Sequence, residues 1–307
     1  MVSKLKNLGK LVMFSHTIFS LPFGLIAMLW ARGGVPPLGT FLYILAALVF
    51  ARNGANAFNR IADRKIDAEN PRTANRPLQS GTVKLRDARI IVIICFAALA
   101  FCAWRLNTLC LLLLPLAIFI FVFYSYTKRF TWLCHFILGL ACGGAPVGAW
   151  AAVTGTLTLT PFLLGGAVCF WVAGFDIIYA TQDIDFDRSR KLRSVPARFG
   201  KTHALVIAAL SHAAAVGCLL ILALFRGWWY LLGVAAVSGL LAVEHYMTFT
   251  GKKINFIAYN MNQIVSVTFL FFAISDFIFG GIINEKSYLL SVIRNLYSDV
   301  SLLLFGQ

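Results

Sequence analysis

Long apolar stretches separated by short polar runs recur along the whole 307-residue chain. Each holds about the ~20 residues a helix needs to cross ~30 Å of hydrocarbon. The pattern predicts nine membrane-spanning helices, over 11–30, 38–58, 88–104, 108–126, 132–153, 161–181, 203–225, 228–249 and 258–281. A β-barrel is excluded, because barrel strands read as ~10-residue segments of alternating polarity. Only Arg105, Leu106 and Asn107 divide 88–104 from 108–126, so those two helices are antiparallel neighbours. Beyond helix nine, Leu289, Leu290, Val292, Ile293 and Leu296 recur at helical spacing among Arg294 and Asp299, which predicts an interfacial helix. The organisation expected is an all-α, polytopic membrane domain over 1–283 and an interfacial tail over 284–307.

Composition agrees with that pattern. Hydrophobic residues make up 60% and charged residues 13%, and the mean hydropathy is +0.80, so too little polar surface exists to cover a soluble globule. Lys4, Lys6 and Lys10 precede the first apolar segment, which is too long for a signal peptide and meets no small-residue cleavage site at Arg32-Gly33-Gly34. The seven cysteines lie inside apolar segments without Cys-x-x-Cys spacing and read as small hydrophobes, with neither disulfides nor zinc implied.

The net charge of +15 raises the possibility of a nucleic-acid partner, and its distribution excludes one. With nine crossings, 21 of the 27 Lys and Arg residues fall on the side of the N-terminus and the 2–3, 4–5, 6–7 and 8–9 loops. The positive-inside rule makes that side cytoplasmic.

Eight of the 12 acidic residues fall in two places: Asp63, Asp67, Glu69 and Asp87 after helix two, and Asp176, Asp183, Asp185 and Asp187 at the end of helix six. The two helices are parallel, so both sets lie at the same face. Asn59, Asp63 and Asp67 are spaced i, i+4, i+8, which on a helix stacks three oxygen-bearing side chains in one stripe. Asp183 and Asp187 repeat that spacing, with Tyr179 one turn earlier. Unpaired carboxylates stacked in this way repel one another and need cations. Oxygen ligands without His or Cys favour Mg²⁺, which completes its shell with water and substrate phosphates.

Beside the acids lie Arg64, Lys65, Arg72, Arg76, Lys128, Arg129, Arg190, Lys191 and Arg193. Carboxylates holding Mg²⁺ and guanidinium groups taking the remaining oxygens form a set suited to a polyphosphate. The two following loops contain Pro71, Pro77 and Pro196 and are expected to fold over the mouth and exclude water. The histidines His16, His135, His203, His212 and His245 are scattered, unpaired at metal spacing and away from the Asp motifs, so structural roles are expected. Arg52, seven residues before Asn59, needs a partner inside the membrane, and Asn56 shares its lining; Glu244 and Asp276 belong to no motif.

These runs resemble the UbiA superfamily of intramembrane prenyltransferases. Its first signature, Asn-Asp-x-x-Asp-Arg-x-x-Asp followed by Arg-Pro-Leu-x-Ser-Gly, appears as Asn59 through Asp67 and then Arg76 through Gly81. Its second, Tyr-Ala-x-x-Asp-x-x-x-Asp, appears as Tyr179 through Asp187, and a family-like run extends from Tyr124 to Thr131. Arg60 stands where the family often has Asp. The segment Asp187-Arg188 with Ser194 through Gly200 is most similar to the 4-hydroxybenzoate polyprenyltransferase branch.

The resemblance implies nine helices around a central cavity capped by the 2–3 and 6–7 loops, two Mg²⁺ ions, a polyprenyl diphosphate donor and an aromatic acid acceptor. Residue by residue, Asn59, Asp63 and Asp67 would hold one Mg²⁺, and Asp183 and Asp187 the second. Arg64, Arg72, Arg76, Lys128 and Arg193 would meet the diphosphate, Arg129 the acceptor's carboxylate, and Tyr124 and Tyr179 the substrates. Quinone biosynthesis in a bacterial inner membrane, ubiquinone or menaquinone, is the implied setting, with membrane lipids around the chain. A transporter or lipid scramblase is the competing class, although transporters place coupling acids near the midplane on broken helices rather than at helix ends.

Overall fold

The computed structural model describes Gly9, Leu11, Val12, residues 17–251 and residues 260–279, and among these every regular element is helical. In chain order the elements are α1 (Thr17–Arg32), α2 (Leu38–Ala62), α3 (Arg64–Glu69), α4 (Leu85–Leu106), α5 (Thr108–Thr127), α6 (Cys134–Thr154), α7 (Leu159–Ala180), α8 (Ile184–Ser189), α9 (Val195–Ala223), α10 (Trp228–Phe249) and α11 (Asn262–Phe279). Among the described residues eight helices are long and apolar enough to span a bilayer, and the apolar α1 is shorter. Residues 13–16 of the expected first span, and 258–259 and 280–281 of the expected ninth, lie outside the described residues. So do Lys4, Lys6, Lys10, His16, Lys252, Lys253, Lys286, Arg294 and the 284–307 tail.

The helices sort into two halves that share α6. In one, α6 packs on α7, α7 on α9, α9 on α10, α10 on α11, and α11 back on α1, which returns to α6. Small residues set the closest of these contacts: a Cβ on Gly139 would fall onto the Cys169 carbonyl oxygen, and one on Gly165 would come 2.8 Å from the Gly143 carbonyl oxygen. Backbones meet this closely in membranes where no side chain intervenes. The interior is filled by aromatic rings, with Phe23 against both Trp171 and Phe269 at centroid distances of 5.3 Å.

Several buried polar groups in this half are tied to one another, as donors in hydrocarbon favour. Trp171 Nε1 donates to Asn262 Oδ1 (2.7 Å), and Asn262 Nδ2 donates to Glu244 Oε1 (3.2 Å). His212 Nε2 donates to the Trp171 carbonyl oxygen (3.2 Å), so its Nδ1 accepts from His245 Nε2 (3.0 Å). Sequence spacing gave no sign of this histidine pair, which lies between α9 and α10. Asp276 of α11 accepts from the amides of Gly227 (3.3 Å) and Tyr230 (3.1 Å) and so caps the start of α10. Glu244 and Asp276, without a motif in the sequence, are thereby accounted for as ties between helices.

The other half, α2, α4 and α5 with α6 as its far wall, encloses a cavity of about 240 Å³. The short 105–107 connection does make α4 and α5 neighbours: Asn107 caps α5 by accepting from the Cys110 amide (2.9 Å) and donates to the Ala151 carbonyl of α6 (2.8 Å). On α5, Leu113, Leu114, Ala117, Ile120 and Phe121 line the cavity, while Leu112, Phe119 and Phe123 face outward. Leu116 does both.

Candidate functional site

Each acidic motif sits where a long helix breaks. The α2 helix stops at Asp63, whose φ and ψ of −92° and 5° open a new short helix, α3. The α7 helix passes into a single 3₁₀ turn at Thr181–Asp183, and Asp183, with φ −106° and ψ 11°, opens α8. The continuous helical stripe expected for Asn59, Asp63 and Asp67 is therefore corrected: Asp67 and Asp187 ride on separate six-residue helices. Asn59 Nδ2 still reaches Asp63 Oδ2 across the break (3.0 Å).

The carboxylates of Asp63, Asp67, Asp183 and Asp187 are also not unpaired, because each of the four meets a cation. Arg129 Nη2 contacts Asp63 Oδ1 (2.9 Å), Arg76 Nη1 contacts Asp67 Oδ2 (2.6 Å), and Lys128 Nζ contacts Asp187 Oδ1 (2.8 Å). Arg72 forks onto Asp183, with Nε on Oδ1 at 3.0 Å and Nη2 on Oδ2. Arg60, in the position the family often gives to Asp, adds a second positive group 3.8 Å from Asp67 Oδ2. Repulsion among the acids is thus relieved by basic side chains.

Sites far apart in sequence converge through the loop after α3. Arg72 crosses from that loop to the second motif and also donates to the Tyr179 hydroxyl, while Asn70 Nδ2 donates to Asp183 Oδ1 (3.0 Å). Glu69 pairs with Arg190 beyond α8. Lys128 lies within electrostatic reach of Asp63 and Asp183 as well as Asp187. Exposure falls from 24% at the Asp63 side chain to 0% at Asp187, so the second motif depends most on its partners. Ser194 supplies another, donating to Asp187 Oδ2 (2.8 Å).

Burial pushes the Asp63 carboxyl above its ordinary pKa even though Arg129 opposes the shift. Burial works against the charge on Lys128 too, but Asp187 holds its ammonium above the usual lysine value.

The remaining candidates divide. Tyr124 lines the apolar cavity together with Arg52 and Asn56, and Arg52 Nη1 lies 3.0 Å from Cys142 Sγ. Arg193 turns away from the acids: its guanidinium donates to the Phe130 carbonyl (2.7 Å) and its amide to the Lys128 carbonyl (2.7 Å), tying two loops together. The Arg64 guanidinium meets no carboxylate among the described residues. Arg129, expected at an acceptor carboxylate, is held by Asp63 and by the carbonyls of Ser125 and Ala62.

Sequence reasoning missed Asn70, Ser194 and a contact between His135 and Asp176 (2.7 Å). The last corrects the expectation that the histidines keep clear of the Asp motifs. Among the described residues no three His, Cys, Asp or Glu side chains form a closed metal cage. Paired carboxylates with an amide oxygen nearby instead fit Mg²⁺, which takes one or two carboxylates and fills its shell with water and phosphate oxygens.

A model of the UbiA prenyltransferase family matches residues 20–254. The chain belongs to the UbiA prenyltransferase family. A 4-hydroxybenzoate octaprenyltransferase from Klebsiella pneumoniae is 32% identical over 269 residues, covering 83% of this UbiA-family chain and 92% of the relative. A UbiA homologue from Aeropyrum pernix K1 superposes with a TM-score of 0.79 at 37% identity, over 86% of this chain and 98% of that one. A UbiA homologue from Archaeoglobus fulgidus bound to GPP and Mg²⁺ shares the fold, with a TM-score of 0.63 at 20% identity over 88% and 99%. Family membership and the eight apolar helices make this UbiA-family protein an integral membrane protein.

Proposed function

We propose that this UbiA-family protein transfers a polyprenyl group from polyprenyl diphosphate to the ring of 4-hydroxybenzoate, releasing diphosphate, in quinone biosynthesis at a bacterial inner membrane. The observation that carries the reading is the junction of two environments along α2. Arg52 and Asn56 line an apolar cavity, and Asn59 and Asp63 follow one or two turns further on at a charged mouth. A substrate with a long apolar tail and a diphosphate head spans such a junction. On this reading the charged mouth faces the cytoplasm.

Asn59, Asp63, Asp67, Asp183 and Asp187 would hold Mg²⁺, in keeping with their oxygen-only chemistry. When bound, Mg²⁺ neutralises the diphosphate as the allylic carbon–oxygen bond breaks. Arg72, Arg76, Lys128 and Arg129 are held at the mouth by their carboxylates. On this reading they exchange those partners for phosphate oxygens, where charge builds as the bond breaks.

Arg52 is the cation of the cavity, and its Nε is buried without a hydrogen-bond partner. A half-buried guanidinium among apolar walls suits the carboxylate of an aromatic acid. On this reading Arg129 serves the diphosphate at the mouth, and the acceptor's anchor moves from Arg129 to Arg52. The ring is then held with its hydroxyl toward the mouth, and the carbon ortho to that hydroxyl forms the new carbon–carbon bond.

The test is mass spectrometry of products from purified protein in lipid vesicles given geranyl diphosphate, Mg²⁺ and 4-hydroxybenzoate. Prenylated 4-hydroxybenzoate is expected, with Asp63→Asn and Asp183→Asn lowering its rate by about 10²–10³-fold. Arg52→Met is expected to raise the KM for the aromatic acid more than the KM for the donor. Absence of both diphosphate and prenylated product would remove the reading; product only from a different aromatic acid would replace the acceptor.

A further inference from the structure

Aromatic prenylation must discard a ring proton, and the function proposed above leaves open which group receives it. Asp176 lies on α7 seven residues before Asp183, about 10 Å deeper in the bundle at ~1.5 Å per residue. Its depth on α7 corresponds to that of Asn56 on α2, since the two helices run to the same mouth and Asn56 precedes Asp63 by seven residues. Both Asp176 and Arg52 lie within electrostatic reach of the Tyr124 hydroxyl, and Tyr124 and Arg52 line the cavity. Asp176 does not itself line the cavity; it lies on the neighbouring α7 at the level of Asn56, between the cavity wall and the charged mouth.

The carboxylate is oriented from behind. His135 of α6 is buried, and its Nε2 accepts the Val195 amide (3.3 Å). A nitrogen that accepts carries no proton, so the proton is on Nδ1, which donates to Asp176 Oδ2 at 2.7 Å. The histidine is thereby fixed as a neutral donor. Asp176 Oδ1 has no hydrogen-bond partner among the described residues, and the side chain keeps 27% of its surface open while that of His135 keeps 4%. Lys128, Arg72, Arg76 and Arg129 are each engaged with other carboxylates.

We propose that Asp176 Oδ1 is the base that removes the ring proton from the prenylated intermediate, with His135 as the residue that positions it. The assignment rests on the proposed function. In the step, the allylic C–O electron pair leaves with diphosphate and the ring carbon ortho to the hydroxyl bonds to the allylic carbon. The C–H electron pair at that carbon then returns to the ring as its proton passes to Asp176. The proton leaves Asp176 for water at the mouth after diphosphate departs.

The experiment follows diphosphate release and prenylated product separately, with geranyl diphosphate and 4-hydroxybenzoate either protiated or deuterated ortho to the hydroxyl. In wild type the two yields match and deuterium has no effect on turnover, as ionisation of the donor limits the rate. Asp176→Asn is expected to keep diphosphate release within about tenfold while product falls by about 10²–10⁴-fold, the range of general-base catalysis. Prenyl alcohol should accumulate and a primary isotope effect should appear. His135→Leu should show the same isotope effect at a smaller loss, and His135→Asn, which keeps a donor toward Asp176, should recover part of it.

Release and product falling together in both Asp176→Asn and His135→Leu, or a loss of product without an isotope effect, would overturn the assignment. Wild-type protein that releases no diphosphate and makes no product overturns the proposed function, and this step with it.

Discussion

Two faces of one helix show how the halves of this bundle differ. On α6, Gly139 and Gly143 press so closely on α7 that no Cβ fits, whereas a Cβ on Gly144 or Gly148 would meet nothing within 4 Å. The same residue type serves opposite ends, because the first face joins backbones in the closed half and the second leaves room in the open half. In the closed half, rings and hydrogen bonds fill the interior; in the open half, polar side chains are spent at the mouth. Rigidity is thus concentrated behind the site and space in front of it, which is how a scaffold holds reacting groups in place while still admitting a bulky ligand.

The contrast can be broken at the join between the halves. Lys128 follows α5 and Asp187 lies on α8, so their pair ties open half to closed half. Lys128→Ala leaves a fully buried carboxylate without its cation and is expected to cost about 3–5 kcal/mol, read as a lowered unfolding midpoint in mild detergent. Gly143→Ala comes next: the new methyl must push α6 from α7, an expected loss of about 1–3 kcal/mol by the same measurement. Asn262→Leu strips Trp171 Nε1 of its acceptor and Glu244 Oε1 of its donor, at about 1–3 kcal/mol, and the loss should be absent from activity per folded molecule. Gly148→Ala should sit within about 0.5 kcal/mol of wild type, and Gly148→Phe should lower prenyl transfer while leaving the unfolding midpoint nearly in place. If Gly148→Ala proves as damaging as Gly143→Ala, the two faces do not differ as described.

Much of this was legible in the residues, and the boundary of what was legible has a physical cause. The spans follow from hydropathy, because one solvent acts on every helix alike. Co-location of the two acidic sets followed from counting crossings. The breaks at Asp63 and Asp183 were hidden, since i, i+4 spacing is compatible with an unbroken helix and with a bend that keeps one hydrogen bond, as Asp63 N to the Asn59 carbonyl does (2.9 Å). The pairing of Arg72 with Asp183 and of His135 with Asp176 depends on how loops and helices meet across 111 and 41 residues respectively, and no local pattern encodes it.

One feature was present in the sequence and read otherwise. Ser194 through Gly200, expected as a loop, begins α9: Ser194 accepts from the Ala197 amide, proline follows in the first turn, and Gly200, at φ 79°, marks a kink. Serine followed by proline is a helix-start signal that outweighed the loop reading.

The thinness of α5 reaches beyond the site itself. One surface of that helix lines the cavity, the other meets the bilayer, and Leu116 belongs to both. On the proposed function, a donor dissolved in the membrane would have its tail one helix thickness from the cavity, and surplus isoprene units would stay among the acyl chains. Its supply is then measured as a mole fraction of the surrounding lipid, and diluting the vesicles with buffer should leave turnover unchanged where diluting the donor with more phospholipid should not.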